Sequence, residues 1–257
     1  MSTVSEARAL PRFTLPGKTL SVGLETNGLG FIGFIIELPG AFVRGETETR
    51  ALSKVIDEAV AYHRWTRISY DPPTEILVAQ RHNCKLQVQD ADCEILLDSD
   101  RGIISKPEFS NLMDLAIYSG ETFERLYEAT RQKDWVDPAR VRATFNGPAP
   151  KTIREIFQHV DKTQRYYLSR AGLETPRISD DFLAMRIRCM KQLWEQFNQT
   201  GNSKVFSVAG EQWTLKKILR RFIWHDRIHG KSIHRMLTKQ RNMGLIDGVE
   251  DPFRFDA

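Results

Sequence analysis

Apolar residues change their spacing about two-fifths of the way along this chain. From Lys18 to about Asp98 they alternate or gather in short runs, whereas beyond Pro107 they recur every three or four residues. In the first stretch, Thr19-Leu-Ser-Val-Gly-Leu24 alternates as a half-buried strand does. Asn27-Gly28 is a strong two-residue hairpin signal, and Leu29 to Ile36 follows as a richly apolar strand. Pro39-Gly40 turns the chain into a third strand, Ala41-Phe-Val-Arg44, which Gly45 ends. Thr47 then caps a helix whose stripe is Leu52, Val55, Ile56, Ala59, Val60 and His63. Arg50 stands where a capping box would carry Glu or Gln. After the break at Asp71-Pro72-Pro73, Glu75 to Ala79, Lys85 to Val88 and Glu94 to Leu97 read as further strands. The expected class of this half is α+β.

Strand signals nearly vanish after Pro107. One helix runs from about Pro107 to Gln132, burying Phe109, Leu112, Met113, Ala116, Ile117, Phe123 and Leu126. A long connection from Asp134 to Pro150, with three prolines and Gly147, leads to a second helix, Thr152 to Arg170. A third runs from about Ser179 to Asn198 and a fourth from Thr214 to about Gln240, after a polar turn at Thr200-Gly-Asn-Ser203. Four amphipathic helices of this length predict an all-α four-helix bundle. The predicted division is a flexible N-terminus at 1–17, an α+β domain at 18–100, the bundle at 104–242 and a C-terminal tail at 243–257.

Composition narrows the class. A hydrophobic share of 41% beside 27% charged residues fits a globular chain rather than a disordered one. The longest apolar candidate, Leu29 to Leu38, is too short to span a bilayer and carries Gly30, Gly33 and Glu37. Met1 to Arg8 lack the basic-then-apolar order of a secretory signal, so the expected compartment is cytoplasmic, without a membrane partner. Three cysteines (Cys84, Cys93, Cys189), with no CxxC pair, argue for reduced thiols rather than a disulfide framework. A net charge of +4 is mildly basic, but the basic residues are interleaved with acids and read as solvated helix faces. The Lys216-Lys217 and Arg220-Arg221 turn lacks the aromatic interleaving of a nucleic-acid reader, so nucleic acid is not the expected partner.

The candidate chemistry lies in histidines. His225 and His229 stand four residues apart on the predicted fourth helix, within roughly 40° of each other around its axis. They can grip one ion from a single face. His159 sits mid-way along the second helix, and packing of the two helices would bring three imidazoles together with coordination positions left open. His234 lies about 180° from His225 and is expected to face solvent or a partner. Phe222, Met236 and the stem of Arg221 are expected to form an apolar rim. Tyr166, on the face of His159, is a candidate for bonding a ligand, and Asp226 for fixing an imidazole tautomer. These two are the only catalytic candidates the sequence offers. His82, Cys84 and Cys93 fall in strand and turn territory without paired ligand spacing.

The second half resembles the DinB-like (YfiT-type) family of metal-binding four-helix bundles. The likeness rests on Thr152-Ile-Arg-Glu-Ile-Phe-Gln-His159-Val-Asp161 and on His225-Asp-Arg-Ile-His229, and it covers about half the chain. It departs from the family at Ser232, where a glutamine often stands three residues after the last ligand. The first half is similar to the HicB-type antitoxin fold in Gly33-Phe-Ile-Ile-Glu37-Leu38-Pro39-Gly40, Gly45-Glu46-Thr47, Ala51 and Glu58-Ala59, over about a fifth of the chain. That resemblance implies a β-β-β-α-β unit able to bind a small protein partner.

The DinB-like resemblance implies that His159, His225 and His229 hold a divalent ion, zinc or nickel. It further implies that the ion activates a low-molecular-weight thiol or water for transfer to a small electrophile, making the chain a metal-dependent thiol transferase or hydrolase. The alternative is a non-catalytic module. In that reading the HicB-like half captures a protein, the bundle serves homodimerisation and the metal is structural.

Overall fold

Four strands, β1 (Thr19–Thr26), β2 (Phe31–Ile35), β3 (Phe42–Gly45) and β4 (Glu75–Asn83), form a mixed sheet in the order β3-β2-β1-β4. β1 pairs antiparallel with β2 and parallel with β4, so the chain must cross over between β3 and β4. The helices α1 (Glu48–Leu52) and α2 (Val55–Thr66) make that crossover. The computed structural model describes residues 18–68, 73, 75–139, 143–144, 147–174 and 181–256. The flexible N-terminus expected at 1–17, the Asp71-Pro72 break and the helix start at Ser179 lie outside the described residues.

Thr47 caps α1 as its position suggests, accepting from the Arg50 amide at 3.1 Å. The single expected helix is broken at Ser53-Lys54. There the Ser53 hydroxyl donates to the Arg50 carbonyl and competes with the helical bond.

Two of the expected strands are absent. Residues 88–90 form one 3-10 turn, and 93–97 form no ladder. The backbone of 93–97 is instead satisfied by side chains. The Glu25 carboxylate accepts from the Glu94 and Ile95 amides at 2.9 and 3.2 Å. Lys217 donates to the Glu94 carbonyl, Arg220 to that of Ile95 and Arg221 to that of Cys93. A segment whose polar groups are met in this way needs no strand partner.

A short helix, α3 (Asp98–Arg101), precedes α4 (Lys106–Glu128). Ser105 and Glu108 close a reciprocal capping box on α4, which ends four residues before the predicted Gln132. Thr130 donates its hydroxyl to the Leu126 carbonyl just beyond that end. Within the long connection β5 (Ala143–Thr144) pairs with β6 (Gly147–Pro148). Then come α5 (Ile153–Ser169), α6 (Phe182–Thr200), a hairpin of β7 (Phe206–Val208) and β8 (Glu211–Trp213), and α7 (Leu215–Asn242). The four long helices α4 to α7 pack on one another and make the second half helical.

One apolar cluster runs from Leu20, Val22 and Val43 of the sheet through Trp65 into Phe109, Leu193 and Phe222 of the helices. The other face of the sheet, with Ile32, Phe34 and Phe42, packs against Ile95, Leu97 and Trp224 of α7. Glu58 fastens the halves further. Its buried carboxylate accepts from Arg227 at 2.8 Å and from Lys231, both on α7, and from the Phe42 amide. Burial works against that charge, but the two cations outweigh it and hold the Glu58 pKa below its usual value. No helix among the described residues is long and apolar enough to cross a membrane. The three cysteines are free, Cys93 and Cys189 buried and Cys84 half-buried.

Candidate metal centre

Local capping fixes where each histidine stands. Thr152 accepts from the Glu155 amide at 3.1 Å and starts α5, placing His159 two turns in. Thr214 starts α7 in the same way, and α7 packs against α5. His159, His225 and His229 converge there, each offering a ring nitrogen within 4.8 Å of the others. The ring centroids lie 5.0, 4.8 and 4.4 Å apart. His159 Nε2 and His225 Nε2 are 3.1 Å apart. Two nitrogens bound to one zinc at about 2.0 to 2.1 Å would be separated by roughly 2.8 to 3.4 Å for octahedral or tetrahedral angles. The observed pair falls in that interval.

His225 is buried, His229 half-buried and His159 exposed, so the cluster has a closed floor and an open side toward α5. Burial, reinforced by the charges of His229 and His159, holds the His225 pKa well below 6.5. Burial and then Lys162 lower that of His159. Both shifts favour the neutral imidazole, the form that donates a lone pair to a metal.

The floor is aromatic. Tyr167, buried, meets the His225 ring edge-on at 5.8 Å, and Phe222 packs against Tyr167 at 5.1 Å. Tyr166 is 45% exposed and lies under the Arg170 guanidinium, so Tyr167 is the tyrosine that contacts the cluster. The buried stripe of α5 (Val160, Gln164, Tyr167, Leu168) carried the signal for Tyr167, because one of two adjacent tyrosines must follow that stripe inward.

Asp226 orients no imidazole. Both its oxygens accept from Arg186, at 2.8 and 2.9 Å. Arg221 turns from the expected rim toward Cys93 and Glu211. Met236 is buried, and its side chain joins the core cluster rather than an exposed rim. Ser232 donates to the Ile228 carbonyl of its own helix. His234 is buried rather than solvent-facing, beside Asp251 and Asp256.

Elsewhere, His82 lies 3.3 Å from Glu94, and Cys84 groups with Glu25 and Glu94. Burial pushes the Cys84 thiol up to about 12, and the Glu25 oxygens are already taken by two amides, so this group makes a poor ligand set. The basic turn of α7 is interior, not a solvated face. Lys217 is wholly buried, and Arg220 pairs with Asp100 at 2.6 Å. Comparison with protein-family models, with curated proteins and with solved structures finds no match.

Proposed function

We propose that this protein is a metal-dependent enzyme whose ion is held by His159, His225 and His229, in a DinB-like arrangement of four helices. The observation that carries this reading is the convergence of three imidazole nitrogens from two helices on one point, open on one side. Three neutral nitrogen donors suit zinc or nickel, and a set of three leaves positions for an exogenous ligand. A bound divalent ion lowers the pKa of a water or thiol and so supplies a nucleophile near neutral pH. The chain's own residues hold and shield. Tyr167 and Phe222 exclude water from the floor, and α7 is clamped to the sheet by Glu58 with Arg227 and Lys231. Asp226, the carboxylate next to His225 in sequence, is bonded through both oxygens to Arg186, which puts the reactivity on the activated ligand. A low-molecular-weight thiol transferred to a small electrophile is the proposed reaction class, with hydrolysis as its water counterpart.

The alternative, a partner-binding module with a HicB-like first half and a structural metal, is supported by β4. That strand is an edge of the sheet, and Leu77 on it is 53% exposed. Cobalt substitution separates the two. A visible spectrum that shifts on adding a small thiol supports the enzyme. An unchanged spectrum with the ion fully bound supports the module.

A further inference from the structure

We infer that a second divalent-cation site, distinct from the three-imidazole cluster, is formed where the last residues fold back onto α7, with His234, Asp251 and Asp256 as its ligands. His234 lies nine residues beyond His225, about half a turn round the helix, so this site is on the opposite side of α7. Its Nε2 is 3.1 Å from an Asp256 oxygen and 4.0 Å from an Asp251 oxygen, and the three ligand atoms lie within 4.8 Å of one another.

The group runs from the interior to the surface, with His234 buried, Asp251 half-buried and the Asp256 side chain 74% exposed. His234 is 6% exposed. Its Nε2 and the second Asp251 oxygen are both buried and make no aligned hydrogen bond. The other Asp251 oxygen is met by the Asp256 amide at 2.9 Å, which sets the turn that brings both carboxylates to the histidine. A buried imidazole nitrogen beside carboxylate oxygens, with no aligned hydrogen bond between them, is a place that a bound cation would stabilise. One nitrogen with two carboxylates is a donor set for a first-row divalent ion such as zinc or manganese. It differs from the all-oxygen set of calcium and the thiolate set of softer ions.

The site would act as a clip. Between the two aspartates Phe253 is wholly buried, 5.5 Å from the Trp65 ring and 5.1 Å from Phe255. It fills the space over Gly230, where an added Cβ would lie 2.7 Å from its ring. An ion on His234, Asp251 and Asp256 would therefore fasten this ring onto the stretch of α7 that carries His229.

The test is zinc and manganese titration by calorimetry on H225Q/H229Q, which lacks two ligands of the first site, with and without D251N/D256N. One equivalent bound by the folded H225Q/H229Q chain and lost on adding D251N/D256N is the expected result. In H225Q/H229Q, bound zinc should also slow tryptic cleavage after Arg254, and it should not do so once both aspartates are replaced. If folded H225Q/H229Q takes up no ion, or the aspartate changes leave its stoichiometry untouched, the site does not exist and His234 serves only as a packing partner of the two aspartates. Should H225Q/H229Q fail to fold, D251N/D256N in the otherwise unchanged chain must bind one equivalent fewer than the parent. Equal stoichiometry there overturns the site.

Discussion

Arg186 of α6 and Asp226 of α7 form a two-pronged ion pair in the interior, both side chains 1% exposed. Arg186 also donates to the Gln164 side chain of α5 and to the Ala116 carbonyl of α4. One guanidinium thus bonds to each of the other three long helices. Breaking a buried pair from one side strands the remaining charge. Asp226→Asn should lower stability by about 3–5 kcal/mol in urea unfolding. A double replacement by Met and Leu should cost less than Asp226→Asn alone. A double variant as unstable as the sum of the singles would contradict this.

Gly40 couples the sheet to the candidate metal centre. Its φ is +86°, and a Cβ there would lie 2.4 Å from the Ile223 side chain and 2.9 Å from the Trp224 amide nitrogen. Those two residues immediately precede His225. Gly40→Ala should therefore destabilise the fold by about 2 kcal/mol or more and also weaken zinc binding, since α7 must move to accept it. An unfolding midpoint and a zinc affinity both equal to the parent's would refute the coupling.

Glu25 is wholly buried and meets two backbone amides of the 93–97 segment. Glu25→Ala leaves both donors unmet, at about 1–3 kcal/mol each. Amide exchange at Glu94 and Ile95 should accelerate selectively. Exchange unchanged at these two positions would show that the segment is held by its α7 contacts alone.

His63, 4% exposed on α2, has its pKa depressed by burial to about 4. An unfolded chain titrates this group near 6.5, so between pH 4 and 6.5 the unfolded state carries the extra proton. The stability contributed by neutral His63 is complete above pH 6.5 and is lost as pH falls toward 4. The loss over that window amounts to roughly 3 kcal/mol at most. His63→Gln should flatten the acid limb of the stability profile relative to the parent. Parallel acid limbs for the two proteins would assign the effect to other groups.

Local signals were legible where they act locally. Thr47, Thr152 and Thr214 mark helix starts, Asn27-Gly28 marks the hairpin, and the four-residue spacing of His225 and His229 puts both on one face. What escaped depends on partners distant in sequence, from 40 to 123 positions away. Lys217 and Arg220 read as solvated because basic residues usually are. They are buried because the Glu94 carbonyl and Asp100 meet them across 123 and 120 positions. Glu94 to Leu97 read as a strand for the complementary reason, since its apolar rhythm is real while its hydrogen bonds go to side chains. Asp226 follows a histidine in sequence, which suggests an imidazole partner, whereas its partner in space is Arg186 on another helix.

The most direct measurement is zinc stoichiometry for the parent and for His159→Ala, His225→Ala and His229→Ala, each verified as folded. Each single replacement should remove one equivalent, and the three losses should be the same equivalent, with no further loss when two are combined. Folded variants that all retain the parent's stoichiometry and affinity would show that these imidazoles share no ion.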